Sequence, residues 1–240
     1  MRVLLQPAYV LHTRPYRDSS LLVELFGAEH GRVSLLAKGV RSRRGGPSRG
    51  GAALWQPFVP LLCSWSGRSS LRTATGCEPR SSALALRGRR IFCGLYVNEL
   101  MNRLMHHDDP HPRLFYFYEQ TLSQLCGVED FEPVLRQFEF RLLEELGYGF
   151  ELSVDGLSGG PVEASRQYLF HHEHGLIQAA DRVAGGATFQ GEDLLKLGDG
   201  VFDTSSRHCA KRLMRAALAG RLGEKPLKSR ELFGAGGGNG

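Results

Sequence analysis

The apolar positions change period once along this chain, near residue 85. Up to that point they come as short runs, alternating or wholly apolar: PAYVLHTRPY, SLLVELFG, GRVSLLAKG, FVPLLCSWS and LRTATGCE. Between them lie the turn-forming stretches RDS, AEHG and GRSS, and a glycine- and arginine-rich segment from Ala37 to Gly51. Runs of this length bounded by such residues predict strands. Five short strands over residues 1–80 predict a small closed barrel. The OB-fold matches both the strand count and the long variable loop, with an SH3-like barrel as the alternative.

From Ala85 the period becomes helical. RRIFCGLYVNELMNRLMHH puts Ile91, Leu95, Leu100 and Leu104 on one broad apolar face, with Asn98, Glu99, Asn102 and Arg103 marking the wet one. HPRLFYFYEQTLSQLCG and EPVLRQFEFRLLEELGYG follow. Each opens near a proline and stops at a glycine, Gly127 or Gly147, as helices do. Loops this short predict three antiparallel neighbours. Glu139, Glu144 and Glu145 fall on the solvated side of their helix. Between residues 150 and 190 the pattern weakens to loop and a short hairpin, RQYLFHHEHGLIQA. GEDLLKLG and TSSRHCAKRLMRAALAGRLG then return to helix, the second behind a Thr204/Ser205 cap. The class is therefore α+β: a barrel over 1–80, a mainly helical domain over 81–233 with a hairpin insertion, and a disordered glycine-rich tail over 234–240.

Charge sharpens the division. The net charge is +5, but residues 1–80 hold twelve Lys and Arg against four Asp and Glu, and the remainder is slightly acidic. A basic first segment points to a polyanionic partner. The glycine-rich segment loses much backbone entropy on ordering and its arginines repel one another, so it does not serve the fold. It suits phosphate binding, where flexible cations adapt to an irregular strand. Arg41, Arg43, Arg44 and Arg49 in the loop, Lys38 at its base, and Arg14 and Arg17 around the first turn are the expected set for binding DNA or RNA. Tyr16, Trp55 and Trp65 are candidates to stack on bases, although a small barrel usually buries its aromatics. No apolar run is long enough to span a membrane, and the start breaks at Pro7 and His12 before a signal-peptide core forms, so a cytoplasmic location is expected. The five cysteines are scattered and never spaced as CxxC, which reads as buried reduced thiols.

Catalytic and metal motifs fare worse. GLSGG, Gly156 to Gly160, has the letters of a nucleophile elbow around Ser158 but not the strand and helix that must flank one. HHDDPH (His106 to His111) and HHEHG (His171 to Gly175) contain metal-ligand residue types. A helix end and a hairpin tip explain them without a metal. No P-loop is present.

RPYRDSSLLVELFGAEHGRVSLLAKGVR, YVNELMNRLM, LRQFEFRLLEELGYG and KPLKSRELF, in that order, resemble the RecO family of bacterial DNA repair and recombination mediators across essentially the whole chain. The resemblance implies an N-terminal OB-fold, a helical domain and no bond-breaking chemistry. It implies binding to single- and double-stranded DNA, and location on the nucleoid when bound. It further implies annealing of complementary strands coated with single-strand-binding protein, and work with RecR to load RecA. Recruitment through the acidic C-terminal tail of single-strand-binding protein asks for an arginine beside an apolar groove. Arg113, Arg136 and Arg141 are the candidates. Many family members carry a four-cysteine zinc site; here Asp155 and Ser158 stand where cysteines are wanted, so no metal or other cofactor is expected. The competing classes are an OB-fold adaptor for RNA or a protein partner and, more remotely, a hydrolase using Ser158.

Overall fold

The computed structural model describes residues 2–41, 51–179 and 187–235 of the chain, with side chains as far as Leu232. The chain forms two compact units, one running to Glu129 and regaining the chain from Leu227 onward, the other spanning Asp130–Pro226.

The first unit is built on β1 (Arg2–Tyr16), β2 (Ser20–Gly27), β3 (Gly31–Ala37), β4 (Leu61–Ser66) and β5 (Leu71–Pro79). They close a barrel in the order β1-β2-β3-β5-β4, antiparallel throughout except where β3 runs parallel to β5. This is the OB-like barrel that the run of five strands predicts. The alternation in the sequence shows why: along β3, Val33 and Leu35 point inward while Arg32, Ser34 and Leu36 lie nearer solvent. Val10, Val23, Leu25, Leu61 and Trp65 complete the interior. Burying each such side chain stabilises by roughly 1.5–3 kcal/mol.

One expectation about the barrel fails. Cys63 and Cys77 are joined in a disulfide rather than reduced. The β4–β5 register sets them directly opposite one another, with Cα atoms 4.3 Å apart. Pairing register, which residue spacing does not reveal, brings them together. Cys93, Cys126 and Cys209 are free.

Helices α1 (Arg89–Leu104) and α2 (Pro112–Gly127) belong to the barrel's unit and pack together, and α6 (Lys228–Ala235) lies on α1. The expected wet face of α1 is not wet. Asn98 is 1% exposed, and its Nδ2 donates to the Val10 and Leu11 carbonyls at 3.3 and 3.2 Å. Those carbonyls sit where β1 shifts register against β2, so the ladder leaves them for a side chain to satisfy. Tyr118 of α2 donates its hydroxyl to Asn98 Oδ1 at 2.7 Å. Glu99, the next residue, receives the backbone N–H groups of Lys228 and Ser229 and the Ser229 hydroxyl. Ile91, placed on the apolar face, is 38% exposed. A helix covered on two sides has two inner faces, and a single-stripe reading finds one.

The second unit holds α3 (Glu132–Glu145), a three-stranded sheet of β6 (Gln167–His171), β7 (Gly175–Gln178) and β8 (Thr188–Gln190), then α4 (Gly191–Gly198) and α5 (Thr204–Leu222). The expected run of three adjacent helices is divided: α3 takes α5 as its neighbour. Glu139 is not solvated; it is fully buried and meets Arg136 at 2.8 Å. The cap of α5 is Asp203, one residue before the expected pair, accepting from Ser206 N–H at 2.9 Å. That hydrogen bond, with those from Ser205 and Lys196, holds the Asp203 carboxyl well below the usual carboxylate range.

Candidate nucleic-acid interface

The β1–β2 turn and the exit of β3 meet at one end of the barrel. The β2–β3 ladder ends on Leu21 opposite Ala37, which leaves Lys38 beside Ser20. Beyond it, Arg41 donates its backbone N–H to the Ser19 carbonyl at 2.9 Å and its guanidinium to the Arg17 carbonyl at 3.3 Å. Arg17 adopts a positive φ of 50°, an uncommon backbone state that puts its guanidinium over the Tyr16 ring, 5.2 Å from the centroid. Lys38, Arg17 and Arg41 are all exposed. Three cations and a half-exposed tyrosine thus share one barrel end. Arg14 is exposed as well, three residues back along β1, and lines a separate cleft of about 230 Å³ with Leu22, Glu24 and His107. Arg43, Arg44 and Arg49 lie outside the described residues.

Of the stacking candidates only Tyr16 reaches solvent. Trp55 and Trp65 are each 1% exposed and belong to the barrel core. Two other barrel arginines are already committed. Arg72 pairs with Asp108 at 2.6 Å, and Arg32 donates to the Asn102 carbonyl and meets His107. HHDDPH is therefore a clasp, laying its His107 and Asp108 on barrel arginines. Gly31 permits the seat: at φ +62°, a Cβ there would lie 1.9 Å from the Asp109 carbonyl oxygen.

The three arginines expected to receive a partner are dissimilar. Arg113, in the first unit, is exposed near the start of α2. In the second unit Arg136 is drawn in against Glu139, its side chain 11% exposed, whereas Arg141 pairs with Glu144 at 2.8 Å and stays half-exposed.

Ser158 has turn chemistry. Its Oγ accepts from the Gly160 N–H at 3.2 Å, while Asp155 accepts from the Leu157 and Ser158 N–H groups at 2.9 Å and from Gln178 at 2.7 Å. These backbone donors, Ser158 first, hold the Asp155 carboxyl below its ordinary value. Both carboxylate oxygens are thus occupied at the place where a four-cysteine zinc site would need a ligand, and Cys209 is the one free cysteine in the second unit. The residues present do not fit such a site. Burial pushes the Cys209 thiol up to about 12 and keeps it from solvent. Among the described residues, His171, Glu173 and His174 do place three possible ligand atoms within 4.8 Å of one another at a hairpin tip. Of these, His171 Nδ1 already accepts from the Glu173 N–H at 3.3 Å.

What the fold and this end of it define is a small OB-like barrel with a cationic edge, joined to a mainly helical region and carrying no helix, among the described residues, long and apolar enough to cross a membrane. Comparison with known proteins agrees. Residues 1–83 match the family model for the recombination protein O N terminal, and residues 86–231 match that for its C terminal. A DNA repair protein RecO from Methylococcus capsulatus is 46% identical over 233 residues, covering 97% of this chain and 93% of that protein. One from Haemophilus influenzae is 44% identical over 234 residues, 97% of each. This chain belongs to the recombination protein O family of DNA repair proteins.

Proposed function

We propose that this protein is a non-catalytic mediator of DNA repair and recombination. It binds single- and double-stranded DNA, anneals complementary strands coated with single-strand-binding protein, and works with RecR to load RecA. The observation that carries the reading is the convergence of Arg17, Arg41 and Lys38 beside Tyr16 at one barrel end, in a family whose relatives are DNA repair proteins. Arg14 adds an exposed cation at its own cleft, and Arg43, Arg44 and Arg49 add charge from the adjoining stretch of sequence.

The mechanism is electrostatic. Two complementary strands are both polyanions, and their approach costs energy at every phosphate pair. Cations that neutralise the backbone lower that cost and leave the base edges free to pair. Tyr16 offers one base a face on which to rest. For the acidic tail of single-strand-binding protein the candidates are Arg113 in the first unit and, as a separate alternative, Arg136 and Arg141 in the second, of which Arg141 is the more exposed.

The test is annealing of complementary oligonucleotides pre-coated with single-strand-binding protein, either intact or lacking its C-terminal tail. Rapid annealing with the intact protein and slow annealing without the tail is the expected result. Failure in both arms would sink the mediator reading, and equal rates in both would remove the tail-recruitment step.

A further inference from the structure

The longest helix of the second unit has a composition its packing does not explain. In its nineteen residues α5 contains no acidic side chain. Its inner face is Ser206, Cys209, Ala210, Leu213, Met214, Ala217 and Leu218, all buried. The opposite face presents His208, Lys211, Arg212 and Arg215, all exposed, at the i, i+3, i+4 and i+7 spacing that places them in one stripe. Like charges so spaced destabilise a helix, so the stripe costs stability. Elsewhere on the same helix cations have partners: Arg207 is bound by Asp130 and the Phe202 carbonyl, and Arg221 sits over the Tyr148 ring. Among the described residues Lys211 and Arg215 meet no acid within ion-pair distance, and Arg212 rests only on the Phe189 ring, 5.4 Å from its centroid.

Beside this stripe lies a cleft of about 540 Å³, bordered by His208 and Arg212 and lined by Gln167, Gln190, Asp193 and Ser205. Its chemistry is mixed, with amide, hydroxyl and carboxylate groups beside the apolar Phe189 and Cys209. The Asp193 carboxylate in its wall would repel the carboxylates of an acidic peptide seated there, but not an uncharged ring. A nucleobase suits it, since base edges carry both donors and acceptors. Lys211 and Arg215 stand about 6 Å apart along the helix, able to meet neighbouring phosphates while a base turns into the cleft. We propose that the exposed face of α5, with this cleft, is a second binding surface for single-stranded DNA, separate from the barrel end. One chain then holds two strands, as annealing requires. The proposal extends the DNA-binding reading of the barrel, but its site shares no residue with it.

The experiment counts strands. Short fluorescent oligonucleotides are titrated into the full chain, into Lys211→Ala/Arg212→Ala/Arg215→Ala, and into Arg17→Ala/Arg41→Ala. The expected result is two oligonucleotides per chain in the parent and one in the α5 variant. The dependence of log affinity on log salt at the lost site should account for about −2, roughly −0.7 for each of three phosphates. The site kept by the barrel variant should bind an abasic oligonucleotide of equal length at least several-fold more weakly, because the cleft reads a base. One oligonucleotide per chain in the parent, or two in the α5 variant, overturns the proposal. So does displacement of the oligonucleotide from the site kept by the barrel variant by an aspartate-rich peptide at equal concentration, which would assign the stripe to an acidic protein segment. Failure of the barrel reading looks different: the Arg17/Arg41 variant would keep both strands. All five side chains are exposed, and unchanged circular dichroism and unfolding midpoints confirm that each variant is folded.

Discussion

Asn98 supports three polar groups that water cannot reach. Its amide nitrogen bridges the Val10 and Leu11 carbonyls, and its amide oxygen takes the Tyr118 hydroxyl. Burial raises the Tyr118 hydroxyl well above its ordinary pKa, so it remains a proton donor at any working pH. Asn98→Ala removes all three hydrogen bonds and leaves their partners buried, which is expected to cost on the order of 3 kcal/mol. Asn98→Asp should be worse than alanine at neutral pH, because a carboxylate would face two carbonyl oxygens in place of an amide N–H₂. Urea unfolding of the two variants checks the order; a milder aspartate would mean that the helix has shifted to admit water. The same residue shows the limit of reading side chains by type. An asparagine on a helix looks like a solvated position. The irregularity in β1 that needs it lies 88 residues away in sequence, and only the folded register reveals it. Glu139 misleads in the same way, because its neutralising Arg136 is visible in the sequence but its burial is not.

The N-terminus of α6 is capped by one carboxylate. Its first N–H groups have no partner within the helix, and the Glu99 carboxylate of α1 takes two of them, at 2.9 and 2.8 Å, together with the Ser229 hydroxyl at 2.6 Å. Leu227 beside them is 2% exposed. KPLKSRELF is thus a docking segment, with Lys228 and Arg230 left facing solvent. Burial pushes the Glu99 carboxyl up, but the hydrogen bonds from Ser229 and Lys228 outweigh it, and its pKa lies below the ordinary value of 4.5. The folded state therefore binds this proton less tightly than the unfolded state. The stabilisation is complete above pH 4.5 and is lost as pH falls through the lowered native value. Glu99→Gln should reduce stability near neutrality and flatten its decline between about pH 5 and pH 3. Parallel acid titrations followed by tyrosine and tryptophan fluorescence would give two curves of equal shape if the carboxylate had no such role. Most elements were readable in advance because each carries its own period and stop signals: β2 and β3 alternate, and α2 opens on Pro112 and closes on Gly127, whereas β8 and α6 are too short to show a period. Their partners were not. Neither the Cys63–Cys77 bond nor the return of α6 to α1 follows from local pattern, since both depend on which distant segments meet.

Across the whole molecule the charge asymmetry takes structural form. The barrel segment carries an excess of eight positive charges, and its arginines fall into two groups that the sequence does not distinguish. Arg32 and Arg72 close the HHDDPH clasp, and Arg80 binds Glu119, so these three are spent on the fold. Arg2, Arg14, Arg17, Lys38, Arg41 and Arg68 have no acid within ion-pair distance among the described residues and stay exposed. Charge held by an internal carboxylate releases no counterion when DNA arrives, whereas free charge does. The salt dependence of binding should therefore follow the free set. With the α5 stripe neutralised to isolate the barrel, about five neutralised phosphates should give a log–log slope near −3.5 for single strands and near −4.5 for duplex. Replacing Arg41, Arg43, Arg44 and Arg49 with alanine should flatten the single-strand slope to about −2, roughly −0.7 for each phosphate left to Arg14, Arg17 and Lys38. Arg72→Ala should leave the slope unchanged while lowering the unfolding midpoint, because its charge is matched by Asp108 at 2.6 Å. Fluorescence anisotropy from 50 to 300 mM salt, roughly the span over which such slopes are resolved, separates the cases. If the Arg72 variant flattened the slope as much as the loop variant, the division between spent and free arginines would be wrong, and DNA would lie across the clasp rather than at the end where Arg17 and Arg41 meet.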